Sequence, residues 1–324
     1  MLCKYPVAVN KFSDACRPCG QCLACRINKR RIWSHRIVLE SQYHPYNSFL
    51  TLTYDDDHIP KEFSHPKTGE IFAAGSVNPE HHRLFINRFR TAYKRKTGEE
   101  IRFYAIGEYG EKTMRPHYHY ALFNYPPCMS NGHFWTGNKF NPCRCPSCSF
   151  ISDHWGQGHI FLGSLTLDSA NYVAGYVTKK LTSNSTAFQR DILQGRHPEF
   201  PRMSRNPGIG SSAVNDISST LTRYRITTHD ELPRHLLHGS KALPLGRYLT
   251  DKLCEEMGIV FEEGQKLSEY EKNMRFMLLH NPSLPDEIKK AAGKSLPTAL
   301  QFLNSQKVLN LEARRQLFNK EKTI

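Results

Sequence analysis

The run Arg115-Pro116-His117-Tyr118-His119-Tyr120-Ala121-Leu122-Phe123 sets two imidazoles two residues apart among aromatic and aliphatic side chains. Such a run reads as a strand, and successive strand side chains point to opposite faces, so His117 and His119 share one face. Two neutral imidazoles on one face form a metal-ligand pair, although a polar stripe on a half-exposed sheet has the same spacing. Upstream, Ile101 to Tyr109 is a second strand-like run, and Gly110 to Met114 is a turn-rich link of hairpin length. Antiparallel pairing of the two runs brings Glu108 close to His117, with Glu111 competing for the same role. Two imidazoles and one carboxylate leave positions open on a divalent ion, as a Lewis-acid site requires. This mixed donor set suits Mg2+ or Mn2+, and softer ions are also compatible with it.

Downstream lies Asp168-Ser169-Ala170-Asn171-Tyr172-Val173-Ala174-Gly175-Tyr176-Val177-Thr178-Lys179-Lys180. With Asp168 or Ser169 as the cap of a helix, Tyr172 and Tyr176 stand four apart on one face with Lys179 beside them. A phenol at its ordinary pKa is a poor nucleophile and needs a nearby cation or a metal-polarised target. Lys179 is the candidate cation and Lys180 its substitute. An amphipathic core face would show the same tyrosine spacing.

Several elements must position these groups. Ser48 to Tyr54 alternates as a strand does, and Asp55-Asp56-Asp57-His58 follows as a loop whose aspartates serve either a cation or simple turn chemistry. Asn78-Pro79-Glu80 opens a helix running through Leu84, Phe85, Phe89 and Tyr93 to Lys96. Strand, helix, strand, strand, inserted loop, strand and tyrosine helix then follow in order. That succession predicts an α+β fold, an antiparallel sheet covered on one face by helices. Leu181 to Gln194 is polar and loop-like. Arg196 to Gly210 is rich in proline and glycine, and its amides with Arg202 and Arg205 could grip phosphate or form an ordinary turn. Tyr248 to Met257, Leu267 to Leu279 and Leu300 to Phe318 read as helices of a C-terminal region with no catalytic pattern.

The chain has 324 residues and a formal net charge of +14. A basic excess on an ordinary globular composition points to a polyanionic partner, most commonly nucleic acid. Leu23, Ile27, Trp33, Ile37 and Val38 recur at helical spacing, and Arg26, Lys29, Arg30, Arg31 and Arg36 fill much of the remainder, a candidate phosphate-gripping helix. No secretory signal or long apolar run occurs, so a soluble intracellular protein without membrane contact is expected. Ten cysteines in such a chain read as metal ligands or thiols before disulfides. Cys16, Cys19, Cys22 and Cys25 form one group and Cys128, Cys143, Cys145 and Cys148 another, each a candidate structural Zn2+ site. Cys3 and Cys254 are left as packed thiols.

His117-Tyr118-His119 followed by Tyr172-x-x-x-Tyr176-x-x-Lys179 resembles the HUH endonucleases of rolling-circle replication. Phe49-Leu50-Thr51-Leu52-Thr53-Tyr54, Ile106-Gly107-Glu108-Tyr109-Gly110, Trp155-Gly156-Gln157-Gly158-His159-Ile160 and Ser204-Arg205-Asn206-Pro207-Gly208-Ile209-Gly210 extend the likeness over roughly residues 16 to 210. With the cysteine-rich start, the pattern is most similar to the replication initiators of the Microviridae, in particular the gokushovirus-like branch. The resemblance implies a five-stranded antiparallel sheet of the HUH/RNA-recognition type, the metal histidines on its central strand and the nucleophile helix across them. It also implies a metal-assisted tyrosine transesterification that nicks and rejoins single-stranded DNA at a viral origin. The products are a 5′-phosphotyrosine and a free 3′-hydroxyl, with Tyr176 cutting first and Tyr172 after one round of copying. No Walker-type phosphate loop is present, so a host helicase, with a host polymerase, is the implied partner in the host cell cytoplasm.

The organisation expected is a cysteine-rich segment and basic helix at 1–47, an endonuclease domain at 48–210 with a cysteine-rich insertion at about 126–155, and an accessory helical region at 211–324. Two other readings share parts of the pattern. One is a nonenzymatic zinc-containing DNA-binding regulator, and the other a plasmid or transposon relaxase with the same chemistry.

Overall fold

A computed structural model of the chain describes residues 2–8, 16–110, 112–130, 134–136, 139–175, 193–259 and 276–321. Contacts divide the chain into two compact units, Trp33–Ala213 and Met1–Ile32 with Val214–Ile324.

The unit Trp33–Ala213 is built on a five-stranded antiparallel sheet. Its strands are β1 (Asn47–Thr53), β2 (Arg102–Tyr109), β3 (Pro116–Phe123), β4 (Ile160–Ser164) and β5 (Phe200–Met203), in the spatial order β4-β1-β3-β2-β5. The alternation of Asn47 to Thr53 gives a strand with Ser48, Leu50 and Leu52 buried and the intervening residues half-buried. β2 and β3 form the expected hairpin, with Glu108 opposite His117 and Ile106 opposite His119. On the other side of β3, Thr51 of β1 lies opposite His119. β5 was expected to be loop, since Pro201 interrupts it. It is an edge strand paired only with β2, a position that tolerates a residue without an amide donor.

Four helices complete the core: α1 (Leu23–Ser41), α2 (Pro79–Thr97), α3 (Pro146–Trp155) and α4 (Leu167–Gly175). The side chain of Asn78 caps α2 by accepting from the Glu80 amide at 2.9 Å, and Gly98 ends it with a left-handed φ of 79°. On one face of the sheet, Leu50, Tyr118, Tyr120 and Leu122 pack with Phe85 and Phe89 of α2 and Ile151 and Trp155 of α3. On the other, Tyr104, Ile106, Ala121 and Phe123 pack with Ile37 of α1 and Ala170, Val173 and Ala174 of α4. The sheet is therefore covered on both faces, not on one as the element order had suggested. The cause lies in β2 and β3, which are buried along almost their whole length and so need apolar cover on each side. Each large side chain so buried contributes about 1.5–3 kcal/mol.

In the other unit, Val7–Ala8 pairs with Cys16–Arg17 near the start of α1. Helices follow at Val214–Arg223, Gly246–Glu256, Asp286–Lys294 and Leu296–Glu321. Leu278, Ile288, Ala292, Leu296 and Leu300 make a small apolar cluster there. Two of the three expected C-terminal helices are present, while most of Leu267 to Leu279 lies outside the described residues. Asp286–Lys294 was not anticipated, because its few apolar residues sit between charges. No helix among the described residues is long and apolar enough to cross a membrane.

Candidate metal centre

Glu108, His117 and His119 converge on one point of the sheet, each offering a ligand atom within 4.8 Å of the others. The Glu108 carboxylate oxygen Oε1 lies 3.2 Å from His117 Nε2 and 3.3 Å from His119 Nε2. The convergence follows from the pleat. His117 and His119 share a face of β3, and register brings Glu108 of β2 beside His117 on that face. Glu108 and His119 are buried and His117 half-buried.

Both imidazoles are held with Nε2 toward the carboxylate. The Nδ1 of His117 lies 3.1 Å from the carbonyl oxygen of Arg115, which can only accept, so Nδ1 carries the proton and Nε2 the lone pair. The Nδ1 of His119 lies 2.8 Å from the hydroxyl of Thr51, which can accept in the same way. Phe49, on the same face of β1, stacks on the His119 ring at a centroid distance of 5.5 Å and an interplanar angle of 18°. Two ligand atoms at about 2.1 Å from one ion and at right angles stand about 3.0 Å apart, close to the spacings seen. Two imidazoles and a carboxylate thus fit a divalent ion with open positions.

Tyr172 projects from α4 to this point. Its phenolic oxygen is 3.4 Å from His119 Nε2, and its ring meets that of His119 edge-on at 5.0 Å. The side chain is 56% exposed, so a phosphodiester could approach the oxygen from solvent. The start of α4 is fixed by Thr166 rather than by Asp168 or Ser169 as cap. Thr166 Oγ1 accepts from the Ser169 amide at 3.2 Å, and Ser169 Oγ accepts from the Thr166 amide at 2.7 Å, a reciprocal pair that satisfies two amides. Tyr176, Lys179 and Lys180 lie outside the described residues, as does Glu111.

Sequence reasoning did not assign Thr51 or Phe49 a role. Their alternation with buried Leu50 and Leu52 puts them on one face, but only strand pairing shows that this face adjoins His119.

The other candidates are placed as follows. The Asp55 carboxylate accepts from the His58 amide at 2.9 Å, and Asp56 pairs with Arg115 at 2.7 Å, so the acidic triplet is engaged in turn and ion-pair contacts. The Gly210 amide donates to the buried carboxylate of Glu40 at 2.6 Å, which leaves it turned inward and not toward a phosphate. Gly210 takes φ of 83°, and a Cβ there would come within 3.1 Å of the Arg36 backbone, so glycine is required. Burial pushes the Glu40 carboxyl up, but hydrogen bonds from His44, Gly210 and Arg102 hold it below the usual carboxylate range. Arg202 lies against the Phe200 ring at 4.8 Å, and Arg205 is exposed. Arg26 and Arg30 are half-buried, with the Arg26 Nε fully enclosed.

The cysteines also gather. Cys128, Cys143, Cys145 and Cys148 form one group, as the spacing suggested. In the other, Cys19, Cys22 and Cys25 are joined by Cys3 and not by Cys16. Cys16 instead packs beside the small cluster of Leu278 and Leu300. Cys254 is buried on Gly246–Glu256.

Comparison with known proteins places this site within a matched region. A family model for replication-associated proteins of the ORF2 type matches residues 47–181. The chain is 38% identical over 240 residues to replication-associated protein VP4 of Bdellovibrio phage phiMH2K, covering 72% of this chain and 66% of that protein. It is 34% identical over 217 residues to replication-associated protein ORF2 of Spiroplasma virus 4, covering 64% of this chain and 60% of that protein. With replication-associated protein ORF4 of Chlamydia phage 1 it shares 28% identity over 170 residues, 52% of this chain and 39% of the relative. The matches thus span less than two thirds of these relatives' own lengths. No solved structure matches the chain.

Proposed function

The chain belongs to the Microviridae replication-associated proteins represented by these three phage relatives, and from that premise we propose that it initiates phage DNA replication as an HUH endonuclease. Its sheet and helices would then be of the HUH type, and its reaction the nicking and rejoining of single-stranded DNA at the viral origin. The observation that carries this reading is Tyr172 Oη at 3.4 Å from a histidine that shares a carboxylate with a second histidine.

A divalent ion such as Mg2+ or Mn2+, held by Glu108, His117 and His119, would supply Lewis-acid polarisation of the scissile phosphate. The chain's own residues do the rest. The Tyr172 oxygen attacks phosphorus, the bond from phosphorus to the 3′ oxygen breaks, and the phenolic proton is lost as the leaving 3′ oxygen gains one. The 5′-phosphotyrosine so formed conserves the ester, and attack by a 3′-hydroxyl reverses the step without ATP. Thr51 and the Arg115 carbonyl keep each Nε2 lone pair directed at the centre. Tyr176 and Lys179 supply, through the resemblance, the second nucleophile and a cation beside it. The formal charge of +14 supports a single-stranded DNA partner, with host helicase and polymerase completing replication.

The test is incubation of the protein with labelled origin-sequence oligonucleotides and Mg2+ or Mn2+, followed by mass spectrometry of the adduct. Metal-dependent nicking with DNA attached to Tyr172 or Tyr176 is expected. Covalent transfer retained by the double variant Tyr172→Phe, Tyr176→Phe would overturn the tyrosine mechanism.

A further inference from the structure

Outside the candidate centre, the four thiols at the start of the chain form a tight group. A tetrahedral zinc site with bonds of about 2.3 Å to sulfur has sulfur atoms about 3.8 Å apart along each edge. Cys19 Sγ lies 3.9 Å from Cys25 Sγ, and Cys22 Sγ lies 4.0 Å from Cys3 Sγ. These are two opposite edges of such a tetrahedron, and all four sulfur atoms lie within 4.8 Å of one another. None of the four is in a disulfide.

We propose that Cys3, Cys19, Cys22 and Cys25 bind a structural zinc ion, with Cys3 in the place that sequence spacing gives to Cys16. Backbone amides already point at the sulfurs, as thiolates require. The Cys19 amide donates to Cys3 Sγ at 3.3 Å, the Cys22 amide to Cys19 Sγ at 3.3 Å and the Lys4 amide to Cys22 Sγ at 3.4 Å. Zinc with four thiolates carries a net charge of −2. Arg26, one turn after Cys22 on α1, has a buried Nε with no hydrogen-bond partner, and its charge offsets part of that. The segment also lacks an apolar interior of its own. Val7 and Ala8 are exposed, while Cys3 is wholly buried and Cys25 nearly so. An ion that joins residue 3 to the first turn of α1 replaces the missing core.

A separate observation supports the same chemistry in the insertion. Cys145 Sγ lies 4.0 Å from Cys128 Sγ, the Cys145 amide donates to Cys143 Sγ at 3.4 Å, and Cys128 and Cys148 are buried against α3 and its neighbours.

The test is the zinc content of the full chain, measured by elemental mass spectrometry after dialysis. Cys3→Ser and Cys148→Ser are each expected to carry one zinc fewer than the parent, and Cys16→Ser the same number. Loss of zinc in Cys16→Ser, or an unchanged content in Cys3→Ser, would overturn the assignment. Should Cys3→Ser not fold, alkylation of the parent protein decides the matter. Cys16 is expected to label with metal present, and Cys19 and Cys22 only after a chelator. Labelling of Cys19 and Cys22 that is indifferent to chelation, or of Cys16 that depends on it, would sink the proposal.

Discussion

The phenolic oxygen of Tyr172 lies 3.4 Å from Nε2 of His119, the same nitrogen that stands 3.3 Å from the Glu108 carboxylate. A helix residue and a strand residue far apart along the chain thus meet at one atom. Tyr172→Phe removes the nucleophile and none of the ligands. It is expected to bind Mn2+ as the parent does, by calorimetry, yet to form no adduct through position 172. Weakened Mn2+ binding in this variant would make Tyr172 a ligand instead.

Removing a ligand has the opposite signature. Glu108→Ala and His119→Ala are expected to lose Mn2+ binding, and nicking of an origin oligonucleotide should fall by at least on the order of 100-fold, beyond what an outer-shell partner typically contributes. Full activity of Glu108→Ala would remove that carboxylate from the centre.

Thr51 touches no substrate in this arrangement and acts by positioning His119. Thr51→Val keeps the shape but deletes the oxygen 2.8 Å from Nδ1. Metal affinity is expected to drop by about 10–100-fold, with Thr51→Ser restoring most of it. Equal loss in the serine variant would point to packing as the cause.

Glu40 accepts from Arg102, from the Gly210 amide and from His44, and is fully enclosed. Arg102→Met leaves that carboxylate short of its cation and should cost about 3–5 kcal/mol by urea unfolding. Adding Glu40→Gln should recover part of the loss, since the pair is coupled. Because the folded carboxyl is held low, its contribution is present above the ordinary value of 4.5 and fades as pH falls further.

His82, on α2, has its Nδ1 2.9 Å from the Tyr120 hydroxyl, and burial pushes its pKa down to about 3 from an ordinary 6.5. Between these values the unfolded chain binds the proton and the folded one does not, so stability falls as pH falls. From pH 7.5 to 5.5 this group alone should remove about 1.4 kcal/mol. The difference in urea midpoint between the two pH values should shrink in His82→Gln, and an unchanged difference would assign the slope to other groups.

Local pattern determined much of this protein. Period-two alternation put His117 and His119 on one face, a hairpin-length link brought Glu108 opposite His117, and Asn78-Pro79-Glu80 marked the start of α2. Each depends on residues near in sequence, where backbone geometry alone sets the outcome. Tertiary structure decided what no spacing could. Strand pairing set Thr51 beside His119, apolar cover on both faces of the sheet brought α4 and Tyr172 to the centre, and the fold around the start of the chain exchanged Cys16 for Cys3. Those contacts join residues far apart along the chain, and they form only when burial of the whole apolar surface selects one packing among many.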